Sequence, residues 1–219
     1  MFKKIIFTAT VLAGMTATGS AAEKLKSFDH AAELTSQAKT ILFQELNTAS
    51  VPNKGHQQIV CLAENIYFEA RAESIEGKAG VANVTRNRVN DNRWPGTYCE
   101  VVQQGPVRES WKTKQHKDLK PEDRIYYPRK HRCQFSWYCD GAKDIIWANK
   151  EQSGETIEGN ARAWRESVRI AIYTLGYGGF RVNDNTEGAV YYYAHNLVYP
   201  AWADKKALTV IIGNHTFMK

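Results

Sequence analysis

Glu69 and Glu73 are the residues of this chain whose type and spacing best suit proton chemistry. Leu62, Ile66, Glu69 and Glu73 fall at i, i+4, i+7 and i+11, so one side of a helix carries both acids beside apolar neighbours. A carboxyl partly removed from water has a raised pKa, and a second carboxylate one turn away raises it further. One of the pair is then expected to stay protonated near neutral pH, as a general acid must. The plain alternative is a solvated helix end with two charges.

The elements that position the acids can be read around them. Ile59, Leu62, Ala63, Ile66 and Ala70 recur at three- and four-residue steps, the spacing of a buried helical stripe. Arg71 lies between the acids, and Ser74 is placed to cap a second helix. Gly77, Ala79, Gly80 and Ala82 are small enough to let that helix approach the first. The pattern predicts a tight helical hairpin behind two carboxylates.

The stretch Cys61-Leu-Ala-x-Asn65-Ile-Tyr67-x-Glu69-Ala-Arg71-x-Glu73-x-x-x-Gly77, followed by Val81-Ala82-x-Val84-x-x-Asn87-Arg88-Val89, resembles the bacterial cell wall hydrolase family typified by the spore cortex-lytic enzyme SleB. The resemblance resumes at Pro95 to Val102, at Cys133-Gln-Phe135-Ser136-Trp137-x-Cys139-Asp140-Gly141, and from Tyr193-Ala-His195 through Pro200-x-Trp202 to Ile212-Gly213-Asn214-His215-x-Phe217. It covers most of the chain after about residue 57 and implies an α+β fold, a mainly helical, lysozyme-like domain with a small β-sheet. It also implies peptidoglycan glycan strands as substrate, with no cofactor and no metal. By position in the motif the acid is Glu69, with Glu73 as the alternative or as a structural carboxylate paired with Arg71 or Arg88. Phe135, Ser136 and Trp137 are then expected to line a sugar groove, Tyr193 to orient the acid or donate to developing charge, and Asn87 to fix the hairpin. Where the family usually has glycine this chain has Ala72; a positive φ there would strain it by about 1 kcal/mol.

Two acids on successive turns of one helix approach a sugar from one direction, whereas many glycosidases place carboxylates on both sides of the bond. That geometry favours a single acid assisted by the substrate's own groups, as in family members that are lytic transglycosylases. A hydrolytic muramidase is the nearest alternative. A zinc-dependent amidase built on His195 and His215 lacks an HExxH motif, and a non-catalytic glycan-binding protein gives Glu69 nothing to do. Arg86 and Arg88 on a small-residue hairpin also suit a DNA reader, but the features of a secreted chain speak against nucleic acid as partner.

Those features begin at the N-terminus. Lys3 and Lys4, the apolar run Ile5 to Ala17 and the small residues Gly19 to Ala22 read as a secretory signal peptide over residues 1–22. The run is too short for a comfortable membrane span, so no stable membrane insertion is expected after cleavage, and the chain is assigned to the periplasm or cell envelope. Cleavage takes the formal charge from +6 to +4, which favours anionic polymers. Cys61, Cys99, Cys133 and Cys139 suit an oxidising compartment and allow three pairings, of which we expect Cys61 with Cys99 and Cys133 with Cys139.

Residues 23–56 read as one amphipathic helix, ended by Pro52 to Gly55, and a linker, leaving 57–219 as the catalytic domain. Residues 103–132, with nine Lys or Arg against four Asp or Glu, read as a surface loop. A short helix is predicted over 144–149, a longer one over 160–173, a strand over 189–193 and another within 208–217.

Overall fold

The computed structural model describes residues 32–146 and 157–219; the expected signal peptide lies outside them. Helix α1 (Ser36–Thr48) is capped by Thr35, which accepts from Ala38 N, and it buries Ala38, Ile41, Leu42 and Leu46. Helix α2 (Asn53–Ala70) follows almost at once. The Pro52 to Gly55 stretch, expected to end a helix and lead into a linker, therefore starts one. Proline is tolerated where a helix begins, because the amide it lacks has no partner there. Ser50, with φ of 51°, turns the chain between the two.

Helix α2 is the centre of the fold. Ile59, Leu62, Ala63, Ile66 and Ala70, the predicted stripe, are all buried. Helix α3 (Ile75–Val89) packs beside it, with Ser74 Oγ accepting from Gly77 N at 3.2 Å. Helix α6 (Ile157–Thr174) closes the bundle, burying Ala163, Trp164, Val168, Ala171 and Ile172. Trp164 Nε1 donates to Ala38 O at 3.0 Å, and Arg169 binds Glu45 of α1 through Nε at 2.7 Å. The helix at residues 36–48 thus belongs to the same apolar core as α2 and α6.

Strands β5 (Tyr191–Ala194), β6 (Leu208–Ile212) and β7 (His215–Met218) form an antiparallel sheet in the order β5-β7-β6. The single strand expected within 208–217 is a hairpin, turned at Gly213 with φ of 57°. Phe217 lies against α3, where a Cβ on Gly80 would come within 2.6 Å of its ring. Gly80 therefore admits the sheet, not helix α2.

The remaining elements are short. Helix α4 (Tyr98–Val102) buries Val101 and Val102. In the basic stretch expected to be a loop, β2 (Val107–Glu109) pairs antiparallel with β3 (Tyr126–Pro128), and α5 (Trp111–Lys114) lies between them. Where a helix was predicted at 144–149, Ile145–Ile146 form strand β4, parallel to β1 (Glu33–Leu34); residues 147–149 lie outside the described residues. Ala72 is absent from the positive-φ residues, so it carries no left-handed strain. Two disulfides are present, Cys61–Cys99 and Cys133–Cys139, in the expected pairing. Helices around a small sheet make this an α+β fold, and no described helix is long and apolar enough to cross a membrane.

Candidate active site

Glu69 occupies the last turn of α2, which runs out at Ala70, and lies within hydrogen-bonding reach of strand β5. Its carboxylate accepts a hydrogen bond from the Tyr192 hydroxyl of β5 at 2.9 Å. Burial raises the Glu69 pKa, while the Tyr192 bond and the nearby Arg88 guanidinium partly offset that rise. The same burial, with the neighbouring carboxylate, pushes the Tyr192 phenol well above its ordinary value, so it remains a donor.

A groove of about 380 Å³ opens over this acid, walled by Phe68, Arg88, Phe135, Ser136, Trp137, Tyr193 and His215 among others. Its aromatic wall is built from below. Asn65, fully buried on α2, accepts from Trp137 Nε1 at 3.0 Å and donates to Thr85 Oγ1 of α3 at 3.3 Å. Trp137 then stacks on Phe68 with centroids 4.6 Å apart. The Cys133–Cys139 disulfide closes the short loop that carries Phe135 to Trp137. Arg88 donates from Nε to Val190 O at 2.8 Å and lies 4.3 Å from the Trp94 ring centroid and 5.2 Å from that of Phe135. This buried cation is held by a carbonyl and ring faces, with no carboxylate among the described residues paired to it, so its charge acts on Glu69 through space.

Glu73 is differently placed. The turn after α2 carries it away from the groove, where Asn214 donates to its carboxylate from the backbone at 3.2 Å and from Nδ2 at 2.8 Å. Desolvation raises its pKa, but the two Asn214 bonds, with His215 and Lys78 nearby, together outweigh that rise and leave it lowered. It lines a separate pocket of about 440 Å³ with Arg71, Lys78, Arg162 and Glu166. Buried Lys78 donates to Glu73 O at 2.9 Å and to Glu166 Oε2 at 2.8 Å, tying the acid-bearing turn to α6.

Of the residues singled out in the sequence, Glu69, Phe135, Ser136, Trp137 and Tyr193 share one groove. Glu73 does not line it. The phenol on Glu69 belongs to Tyr192, not to Tyr193, whose ring meets Tyr199 and Trp202 edge-on. Strand alternation is the signal that separates the two tyrosines, because successive side chains leave opposite faces of a strand. Asn87 holds the turn before β5, donating to Asp184 Oδ2 at 3.0 Å and Ala189 O at 3.0 Å, and makes no bond across the hairpin that was expected of it. His195 Nδ1 lies 3.2 Å from Thr216 Oγ1, while His215 is buried with its pKa lowered, mainly by desolvation. Among the described residues no three His, Cys, Asp or Glu side chains gather as a metal-binding group.

Comparison with known proteins gives one family: the model of the Cell Wall Hydrolase family matches residues 72–218, starting three residues after Glu69. No curated protein matches. Among solved structures, the chain is similar to the catalytic domain of the germination-specific lytic transglycosylase SleB from Bacillus anthracis, at 23% identity and a TM-score of 0.46, covering 77% of this chain and 100% of that one. It is also similar to the catalytic domain of the Bacillus cereus SleB protein, at 23% identity and a TM-score of 0.42, covering 77% of this chain and 95% of that one.

Proposed function

This chain belongs to the cell wall hydrolase family, enzymes that cleave peptidoglycan, and from that premise we propose that it is a lytic transglycosylase cutting the MurNAc-GlcNAc β-1,4 bond with Glu69 as sole acid and base. One observation carries the reading: among the described residues lining the groove, Glu69 is the single carboxylate. Glycosidases that use two carboxylates hold them about 5 to 9.5 Å apart across the bond. Here the other acid of the motif is engaged by Asn214 outside the groove.

The chemistry follows from that arrangement. Protonated Glu69 gives its proton to the glycosidic oxygen, the bond from that oxygen to C1 of the muramic acid breaks, and the GlcNAc end leaves with its new hydroxyl. Glu69, now a carboxylate, is stabilised by the Tyr192 hydroxyl and by the Arg88 charge. It then takes the proton of the C6 hydroxyl, whose oxygen bonds to C1 and closes a 1,6-anhydro ring. Glu69 ends as it began and no water is consumed. Tyr193 offers an apolar face to the sugars above the nearly buried rings of Phe135 and Trp137, and Ser136 an exposed hydroxyl. The two disulfides and the signal peptide expected in residues 1–22 agree with work outside the cytoplasmic membrane.

The test is mass spectrometry of sugars released from purified peptidoglycan by the mature chain and by Glu69→Gln. Products ending in anhydro-muramic acid, one water lighter than hydrolysed ends and absent with Glu69→Gln, are expected. Reducing ends make the enzyme a muramidase, and activity that survives the substitution moves the acid elsewhere.

A further inference from the structure

Resting on that reading of the groove, we infer that Leu197 and Val198 form an apolar tip that reads the acetamido methyl group of an N-acetylated amino sugar in the bound strand. The two residues lie in the connection from β5 to β6 and wall the same groove as Glu69, Phe135 and Trp137. Leu197 is 81% exposed, Val198 52% and the adjacent Tyr199 64%, three consecutive apolar side chains in water. The exposure does not come from a loose segment. Leu197 N and Val198 N both donate to Ala194 O, at 3.0 and 3.1 Å, and His195 N donates to Asn214 O at 3.0 Å. Tyr199 is fixed by its hydroxyl bond to Asp204 Oδ1 at 2.6 Å and by the Tyr193 ring at 5.8 Å.

A pre-shaped apolar cluster left in water is unfavourable until something covers it, and such patches mark contact surfaces. Continuity with the groove names the occupant as the strand that lies over Glu69. Aromatic rings can stack on a sugar's face, but aliphatic side chains have no such face to offer. The methyl group that both sugars of the strand present, wherever it lies along the groove, is that of the N-acetyl group; the lactyl methyl occurs on muramic acid alone. Tyr193, in the same wall, supplies the ring for the sugar itself.

The experiment reads binding without turnover. The mature chain and Leu197→Ser/Val198→Ser, both also carrying Glu69→Gln to prevent cleavage, are sedimented with insoluble peptidoglycan that is intact, de-N-acetylated, or de-N-acetylated and then chemically re-acetylated. The chain that keeps Leu197 and Val198 is expected to bind the intact polymer about fourfold more tightly than the de-N-acetylated one, the value of one buried methyl group, with re-acetylation restoring it. Free amines also repel a basic protein, but that effect persists in the variant. The double variant is therefore expected to lose the part of the preference due to the methyl group and to bind intact polymer about fourfold more weakly. Both substitutions fall on exposed side chains, and unchanged melting confirms the fold. Equal preference in both proteins, or no binding by either, overturns the inference. So does binding to phosphatidylglycerol vesicles that the double substitution removes while glycan binding stays unchanged. Failure to release sugars, by contrast, counts against the role given to Glu69.

Discussion

Glu69 and Glu73 leave one helix end four residues apart and reach opposite surroundings. Glu69 turns into the groove, where burial raises its pKa and one phenol holds it. Glu73 turns toward the β6-β7 hairpin, where two donors of Asn214 keep it ionised. Two acids whose environments push their pKa values apart suit separate tasks: the proton donor proposed for Glu69, and for Glu73 a clamp on the hairpin turn at Gly213.

The clamp can be removed without removing the acid. Glu73→Ala is expected to lose both Asn214 bonds and to lower stability by about 1 kcal/mol, a modest value because the carboxylate is largely open to solvent. Glu73→Gln keeps one acceptor and most of the activity. Thermal unfolding and sugar release check the two variants; an inert Glu73→Gln beside an active Glu69→Gln exchanges the roles.

Tyr192→Phe separates orientation from acidity. Losing the hydroxyl bond removes a contact that lowers the Glu69 pKa, so that pKa moves further up. Activity needs the protonated acid, and the alkaline limb of the pH-rate profile therefore moves to higher pH. The rate at its maximum falls about tenfold, since the carboxyl is no longer aimed and its anion has lost a donor. A limb that moves to lower pH contradicts the assignment.

Much of this site was legible in the sequence because helix periodicity constrains it. The stripe from Ile59 to Ala70 fixes where Glu69 stands on α2, and Ser74 marks the next helix start. Tyr192 and Arg88 were harder to see. Their roles depend on the sheet crossing the end of α2, a contact between residues 123 apart that no local pattern encodes. Pro52 misled because the same residue suits a helix end and a helix start. Gly80 was given the wrong partner because small size states that something comes close, not what. The two-residue strand Ile145–Ile146 and the three-residue strands β2 and β3 are shorter than any window over which alternation can be counted.

The disulfides are expected to act on different properties. Cys61–Cys99 spans 38 residues and ties α2 to α4, so replacing both cysteines with alanine removes about 4 kcal/mol on the loop-entropy model. Cys133–Cys139 spans 6 residues, for which the same model gives about 2 kcal/mol. That short loop carries the groove wall from Phe135 to Trp137, so its loss is expected to weaken substrate binding more than its stability cost implies. Melting curves and the substrate concentration for half-maximal release, measured on both double variants, check the division. An undiminished affinity without Cys133–Cys139 counts against a rigid wall.

A second pair of carboxyls makes stability depend on pH in an unusual sense. Burial pushes Glu64 up to about 8, with Asp144 adding to the rise, and pushes Asp144 up to about 7, with Asp140 adding. Both folded values lie above the ordinary 4.5 and 3.8, so the folded state holds protons that the unfolded chain releases. Their stabilising contribution is complete below about pH 4 and is lost as pH rises toward 8. Glu64→Gln, which keeps the shape of the protonated acid, is expected to flatten this decline and to melt at or above the unsubstituted chain at pH 8 to 9. The comparison is between the two melting-temperature curves from pH 4 to 9, because carboxylates with lowered values, such as Glu73 and Asp184, tilt both curves the other way. Parallel curves would show that Glu64 is ionised in the folded protein and paired with a cation.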